Sequence, residues 1–291
     1  MWGYLVTLYF DPMNFRIYHP AATLAPYVKQ YYHLQTTTAG LINLPQNLFS
    51  LGDLYMVFLQ EGEVVFQPSQ HASFTLPAAA VVGHFTCHHQ IRVKGPVKMT
   101  VIQLNAYGCY RLAGMDMSAF NNYFRDLLKQ NCENCGNWQQ LATQLERNED
   151  SANIPAILDK AFNNILEEHN YNLKQVDVIA DYIGRHQGYT SIERLSKKFK
   201  TSRHTLERRF MEVVGIPPQL YARMLRFREA MRHMQKMNVE EWQSFITTND
   251  YYSQALFIQD FLFFKGEAPV LNQETAIAQM PVPEVRPVAV A

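Results

Sequence analysis

The stretch "SIERLSKKFKTSRHTLERRFMEVVG" (191–215) decides how the C-terminal part of the chain can fold. Its apolar residues recur three and four positions apart in two runs, which predicts two helices separated by a short turn at Lys200 and Thr201. Ser202 stands directly before the second run, where its side-chain oxygen can accept a bond from a backbone N–H of the first helical turn. The stretch therefore predicts a helix-turn-helix unit.

The second helix of this unit would carry a polar face opposite its apolar stripe. In the major groove of DNA, Arg can bind guanine O6 and N7, and Glu can accept a hydrogen bond from cytosine N4. We expect the base-contact candidates of this helix to be His204, Glu207 and Arg208. Hydrogen-bonding and cationic neighbours suit phosphate contacts; they are Lys197, Lys198, Lys200, Ser202, Arg203 and Arg209. The alternative is a charged helix that is merely solvated.

The charge of the chain is unevenly distributed. The 26 Lys and Arg residues balance the 26 Asp and Glu residues, so the formal net charge is zero. Residues 194–239 nevertheless contain 12 basic and 3 acidic residues. Such a block attracts polyanions whatever the total charge of the chain is.

The frame of this helix recurs later in the chain. "SRHTLERRF" (202–210) is followed 51 positions later by "SQALFIQDF" (253–261), and a Gly and a Pro follow each copy at the same spacing. Between them, residues 217–236 have the apolar periodicity of one long helix. The sequence thus predicts two helix-turn-helix units joined by a linker helix.

These segments resemble the DNA-binding domain of AraC-type transcription regulators. The resemblance covers roughly residues 175–270 and is carried by "LSKKFKTSRHTLERRF", "GIPPQLYARMLRFREAM" and "YYSQALFIQDFLFFKGEAP". It implies an all-α domain that places two recognition helices in successive segments of the major groove of double-stranded DNA. The segment "YHPAATLAPYVKQYYHL" (18–34) is similar to the cupin-like sensor domain of some bacterial members. The resemblance thus implies a small-molecule effector and RNA polymerase as further partners.

The second unit departs from this family. Its turn has Asp250 where a Gly is usual, and Ala255, Ile258 and Gln259 stand where the first unit has its base-contact candidates. Gln259 alone could read a base, preferably adenine. Residues 240–269 contain one basic and five acidic residues. We therefore expect the first unit to dominate DNA affinity, while the second packs on the linker helix or contacts a protein through apolar residues such as Leu262 and Phe263.

The rest of the chain predicts an α+β protein with an N-terminal antiparallel barrel or sandwich. Residues 15–110 contain short aromatic and β-branched runs, and from about residue 118 the periodicity becomes helical, beginning with "AFNNYFRDLLKQ" (119–130). The apolar stripe between Ile154 and Leu166 is either a homodimer seam or packs on its own neighbours. The expected division is a cupin-like domain (1–117), a helical linker (118–174), the DNA-binding domain (175–270) and a flexible tail (271–291).

Other classes of site receive little support from the sequence. "CENC" (132–135) lacks the second ligand pair of a zinc site. The histidines of the N-terminal part lack the HxH pair and following Glu of a cupin metal site; they are His71, His84, His88 and His89. Four aromatic residues could line a cavity or pack as core; they are Tyr31, Tyr32, Tyr55 and Phe58. We expect no catalytic residue, metal or cofactor.

Three functions remain open on the sequence. The first is a cytoplasmic transcription regulator whose barrel senses a ligand. The second is an adaptor that has impaired DNA binding and acts through protein contacts. The third is a cupin-like enzyme, which the missing metal ligands disfavour. The basic block of residues 194–239 favours the regulator, because an adaptor has no need for clustered cations around one turn. No apolar run approaches the roughly 20 residues of a membrane span.

Overall fold

The structure, a computed structural model, describes residues 14–42, 44, 48–119, 121–129, 135–169, 173–234 and 254–266. An antiparallel sheet forms the N-terminal part, and helices form the C-terminal part. The α+β class predicted from the sequence is confirmed. Among the described residues, none of the helices combines the length and the apolar character that crossing a membrane requires.

Seven strands build one sheet in the order β1-β2-β6-β3-β5-β7, with β4 paired to β3. The strands are β1 (Asn14–Tyr18), β2 (Val28–Ile42), β3 (Leu54–Pro68), β4 (Phe74–Thr75), β5 (Ala79–Val82), β6 (His89–Leu104) and β7 (Phe124–Asp126). A short 3₁₀ turn at Ala22–Leu24 precedes β2, as the segment 22–34 predicts.

Both faces of the central strands are buried, which explains their nearly continuous apolar sequences. In β3, Tyr55 and Val57 point into a cluster enclosed by the sheet, whereas Met56 and Phe58 point to the face that the helices cover. Tyr31 and Tyr32 of β2 divide in the same way. The four aromatic residues considered as a cavity lining are therefore core residues, each at most 3% exposed.

The predicted helix over residues 119–130 is wrong. Phe124–Asp126 is strand β7, and it pairs with β5 in the register Val82 to Phe124 and Ala80 to Asp126. The spacing of its apolar residues fits a helix, but β5 offers an unpaired edge whose backbone groups need partners. That long-range pairing outweighs the local periodicity.

Eight helices of the described residues follow or cover the sheet. They are α1 (Gly108–Ala113), α2 (Cys135–Arg147), α3 (Ile154–His169), α4 (Gln175–Arg185), α5 (Ile192–Phe199), α6 (Arg203–Val214), α7 (Pro218–Met234) and α8 (Gln254–Lys265).

The helices and the sheet share one apolar core. A single cluster of buried side chains runs from Leu24, beside β2, to Phe264 in α8. The stripe of α3 belongs to it, since Leu158 and Phe162 are fully buried within the chain. The stripe considered as a dimer seam therefore packs on its own neighbours. The helical half is held against the sheet by the same burial that folds each half.

Candidate nucleic-acid interface

Helices α5 and α6 form the predicted helix-turn-helix unit. Ser191 caps α5, and Lys200 ends that helix in the left-handed conformation with φ 49°. Ser202 then caps α6 by accepting a hydrogen bond from the backbone N–H of Thr205, at 3.1 Å. The turn between the helices is thus three residues long, and both of its ends are fixed by local hydrogen bonds.

Helix α6 has one buried and one exposed face. Leu206, Phe210 and Val214 are at most 2% exposed and pack in the shared core. His204 and Arg208 lie on the opposite face and are exposed. This face meets the steric requirement for entering a major groove, because no described part of the chain covers it.

Glu207 differs from the other two base-contact candidates. Its Oε1 atom accepts hydrogen bonds from Nε of Arg203 at 2.9 Å and from Nε2 of Gln219 at 2.8 Å. These bonds, that of Gln219 foremost, lower the pKa of Glu207. The carboxylate is already engaged inside the unit, so its acceptance of a bond from cytosine would compete with these two donors.

The phosphate-contact candidates surround this face and are all exposed. Lys198 lies with its Nζ 5.0 Å from the ring centre of Tyr182. Nη1 of Arg209 forms an ion pair with Glu212 at 3.1 Å, and Arg203 forms the one with Glu207. Exposed pairs of this kind contribute roughly 0–1 kcal/mol, so both arginines can exchange their partner for a phosphate at small cost.

The second unit is described only in part. Its turn at Asp250 and its first helix lie outside the described residues, as do the acidic residues Glu240, Glu241 and Glu267. Helix α8 packs on the linker helix α7 through Phe257 and Phe264, whose ring centres lie 6.0 and 5.1 Å from that of Phe227.

Asp260 needs a correction. The sequence counts it as one of the negative charges of the second unit, but its side chain is only 6% exposed and forms an ion pair with Arg223 of α7. The guanidinium of Arg223 also stacks over the ring of Phe263, 4.6 Å from its centre. Asp260 therefore fastens α8 to α7 and presents little charge to an approaching duplex.

The outer face of α8 is polar at one position and apolar around it. Gln259 is exposed, and Leu256, Leu262 and Phe263 are 43–49% exposed. Ile258 is half-buried, and the side chain of Ala255 lies outside the described residues. Phe261 is partly buried and Phe264 is buried, so the expectation that these two belong to the core holds fully for Phe264.

The histidines of the N-terminal part do not converge. His84 is fully buried, and burial lowers its pKa to about 4. His71 is exposed, whereas His88 packs against Gly266 at the end of α8. Among the residues that the structure describes, no group of three or more His, Cys, Asp or Glu side chains is arranged to hold a metal ion. Of the "CENC" motif, Cys132 falls outside the described residues.

Polar contacts between the two halves were missed by sequence reasoning. Arg111 of α1 donates two hydrogen bonds from Nη2 to the carboxylate of Asp177 in α4, at 2.9 and 2.7 Å. Arg228 of α7 forms an ion pair with Asp53, which precedes β3, at 2.9 Å. No local signal marks these pairs, because their members lie far apart in the chain.

A cleft separates the sheet from the helices beside the second of these pairs. It encloses about 440 Å³ and is lined by residues of both halves, among them Lys29, Asn105, Asp181, Arg185 and Arg228. Burial raises the pKa of Asp181, which accepts a hydrogen bond from the Tyr107 hydroxyl at 3.1 Å. The cleft is the place where a small molecule could touch both halves of the protein at once.

Comparison with known proteins places the N-terminal part in a family model. Residues 16–126 match a domain of unknown function, DUF6597. No curated protein sequence matches the chain. The matched segment ends within β7, so the model covers the sheet and none of the helices from α2 onwards.

Solved structures show a distant likeness in fold along most of the chain. ToxT from Vibrio cholerae O395 is 11% identical, with 88% of this chain and 95% of that one covered and a TM-score of 0.38. A P21 crystal form of Vibrio cholerae ToxT is 12% identical, with 88% and 96% covered and a TM-score of 0.40. CuxR, an AraC-like transcriptional activator, is 12% identical, with 77% and 86% covered and a TM-score of 0.30.

Proposed function

We propose that this protein is a sequence-specific DNA-binding regulator of transcription of the AraC type, with most of its DNA affinity supplied by α5 and α6. The observation that carries the proposal is the exposed face of α6, where Arg208 and His204 stand among the cations of the turn. An Arg on such a face can bind guanine with two parallel hydrogen bonds, and the surrounding lysines neutralise phosphates.

The proposed roles of the site residues follow from their surroundings. His204 and Arg208 read bases, while Glu207 orients Arg203 and reads a base only by giving up one of its two donors. The other phosphate candidates position the helix. Gln259 of α8 is the base-reading candidate of the second unit, in which Asp260 contributes little surface charge because it is paired and buried.

The remaining parts of the proposal concern regulation. Residues 1–117 form the sensor domain, 118–174 the helical connection, 175–270 the DNA-binding domain and 271–291 a tail. A small-molecule effector acts through the sensor domain, and the cleft between the halves is its proposed place, because the interior of the sheet is filled by side chains. The protein acts in the cytoplasm on double-stranded DNA, with RNA polymerase and a second copy of the chain as candidate partners.

A salt titration of DNA binding tests this proposal. Fluorescence anisotropy of the full chain with random-sequence duplexes, repeated at several salt concentrations, gives log affinity against log salt. Each phosphate contact contributes about −0.9 to the slope. We expect Lys200→Ala to make the slope shallower by about one contact, and Arg125→Ala, which removes an exposed cation of β7, to leave it unchanged. Equal slopes for the two variants would count against the interface.

An adaptor that acts through protein contacts is the second candidate. It is favoured by the exposed Leu262 and Phe263 of α8, which are 46% and 43% exposed on the face where a recognition helix would meet DNA. If the full chain bound no duplex at low ionic strength, while Phe263→Ala abolished binding to a protein partner, the adaptor would replace the regulator.

A further inference from the structure

Asp53 is a buried carboxylate at the junction of the two halves. Its side chain is 2% exposed and has partners on three different elements. Lys29 of β2 forms an ion pair with Oδ1, Nε2 of Gln103 in β6 donates to Oδ2 at 2.7 Å, and Nη1 of Arg228 in α7 lies 2.9 Å from Oδ2. The carboxylate thus ties the two central strands of the sheet to the linker helix.

The backbone before Asp53 is also fitted to the linker helix. Arg228 donates a second hydrogen bond to the carbonyl oxygen of Leu51, at 3.0 Å. Gly52 has φ +83°, and a Cβ atom built on it would lie 3.1 Å from Cδ2 of Leu225 in α7. The turn therefore approaches α7 as closely as its backbone allows, which holds Arg228 and Asp53 in register.

The charge of Asp53 is maintained by its cationic neighbours. Burial alone would raise the pKa of its carboxyl group, but Lys29 and Arg228 outweigh burial, so the pKa lies below its usual value. Burial likewise lowers the pKa of Arg228, and the carboxylate of Asp53 more than restores it. Both groups are therefore charged at neutral pH, and removing either one leaves a buried charge without its partner.

The sheet domain also holds the C-terminal ends of α6 and α8. A Cβ atom on Gly215, which ends α6, would lie 2.5 Å from the carbonyl oxygen of Met117, so the two backbones are in close contact. Gly266, which ends α8, packs against the side chain of His88. Two recognition helices must match successive turns of the major groove to bind together. Their present spacing is set by the sheet domain to which both are attached.

We propose that Asp53 is a latch that holds the linker helix on the sheet domain and thereby restrains the two recognition helices from adapting to DNA. The proposal rests on the proposed function and adds a regulatory element to it. A displacement of β2 against β6 would move Lys29 or Gln103 and loosen the latch, which gives the sensor domain a physical route to the DNA-binding helices. The affinity for DNA is lowered by the fraction of molecules that is latched.

Two variants open the latch with opposite changes of charge. Asp53→Asn makes the chain more positive by one unit, and Arg228→Met makes it more negative by one unit. Matched controls lie one helical turn away on α7, where Glu229 and Arg232 pair with each other and not with the sheet domain. Glu229→Gln and Arg232→Met repeat the same two charge changes without touching the latch.

Hydrogen exchange and DNA binding are measured on the full chain of all five proteins. We expect both latch variants to exchange the amides of residues 50–54 and of α7 at least about tenfold faster than the controls do. With random-sequence duplexes of about 40 base pairs, which span successive major-groove turns, both latch variants should bind about three- to tenfold more tightly than their matched controls.

The outcomes separate the latch from plain electrostatics. Tighter binding by both variants supports the latch, because charge alone would tighten Asp53→Asn and weaken Arg228→Met. Opposite changes, no change, or weaker binding by both would overturn it, as would unaltered exchange. If the wild-type chain bound no duplex, the proposed function would fail and the restraint on DNA with it. The exchange data would still decide whether Asp53 joins the two halves.

Discussion

The buried pair between Arg111 and Asp177 permits the sharpest prediction about stability. Their side chains are 2% and 0% exposed, and the carboxylate also accepts the backbone N–H of Lys174 at 2.7 Å, which caps α4. Arg111→Met leaves a buried carboxylate with this single donor, and Asp177→Asn leaves a buried guanidinium without a counter-ion. Each single substitution should cost about 3–5 kcal/mol of unfolding free energy.

The double variant should cost much less than the sum. Arg111→Met together with Asp177→Asn removes both charges, while the amide oxygen of Asn can still accept the capping N–H. We expect a cost of about 1–2 kcal/mol for the pair, and hence a coupling free energy of at least about 2 kcal/mol. In thermal unfolding, each single variant should lower Tm by roughly 10 °C, and the double variant by less than half of that.

Scanning calorimetry or circular dichroism on the full chain would measure this. Glu229→Gln, which breaks an ion pair within the exposed part of α7, serves as the control and should change Tm little. Additive effects of the two single substitutions would refute the reasoning, since they would show that Arg111 and Asp177 do not depend on each other for burial.

Three further predictions concern single positions. Gly215→Ala should destabilise the fold by at least about 2 kcal/mol in urea denaturation, because φ is +92° there and the new Cβ would lie 2.5 Å from the carbonyl oxygen of Met117; an unchanged midpoint would contradict the close contact. Ser202→Ala should cost about 1 kcal/mol, because the backbone N–H of Thr205 loses its acceptor, whereas Ser202→Asp should keep the cap. His84 has a folded pKa of about 4 against 6.5 unfolded, so its contribution is complete above pH 6.5 and is lost as the pH falls towards 4; His84→Leu should remove about 2–3 kcal/mol of this pH dependence, and an identical pH profile of Tm would refute it.

The helix-turn-helix unit could be predicted from the sequence because its signals are local. Ser202 stands at the N-cap, Gly215 stands at the left-handed C-cap, and the apolar spacing between them gives the buried face of α6. Helix α7 and the strands of the sheet are predicted by the same kind of short-range pattern. Each of these signals depends on residues within a few positions of one another, so tertiary context does not override them.

The features that sequence reasoning missed depend on long-range partners. Phe124 lies in a segment with helical spacing, yet it joins the sheet because Val82 offers an open edge. Asp260 appears in the sequence as a surface charge, yet it is buried because Arg223 meets it from the linker helix. Asp53 has no signal of its own, since three elements remote from it in the chain converge on its carboxylate.

The most direct test of the central claim compares Arg208→Ala with Gln259→Ala in DNA binding. Each variant of the full chain is titrated with a duplex selected from a random library, at several salt concentrations. Loss of a bidentate base contact costs about 1–3 kcal/mol, so Arg208→Ala should weaken binding by at least about fivefold and relax the preference for guanine at one position. Gln259→Ala should change affinity by less than about twofold, because α8 contributes few contacts. Equal losses from the two substitutions, or no binding by the wild-type chain, would contradict the claim that α5 and α6 carry the interaction with DNA.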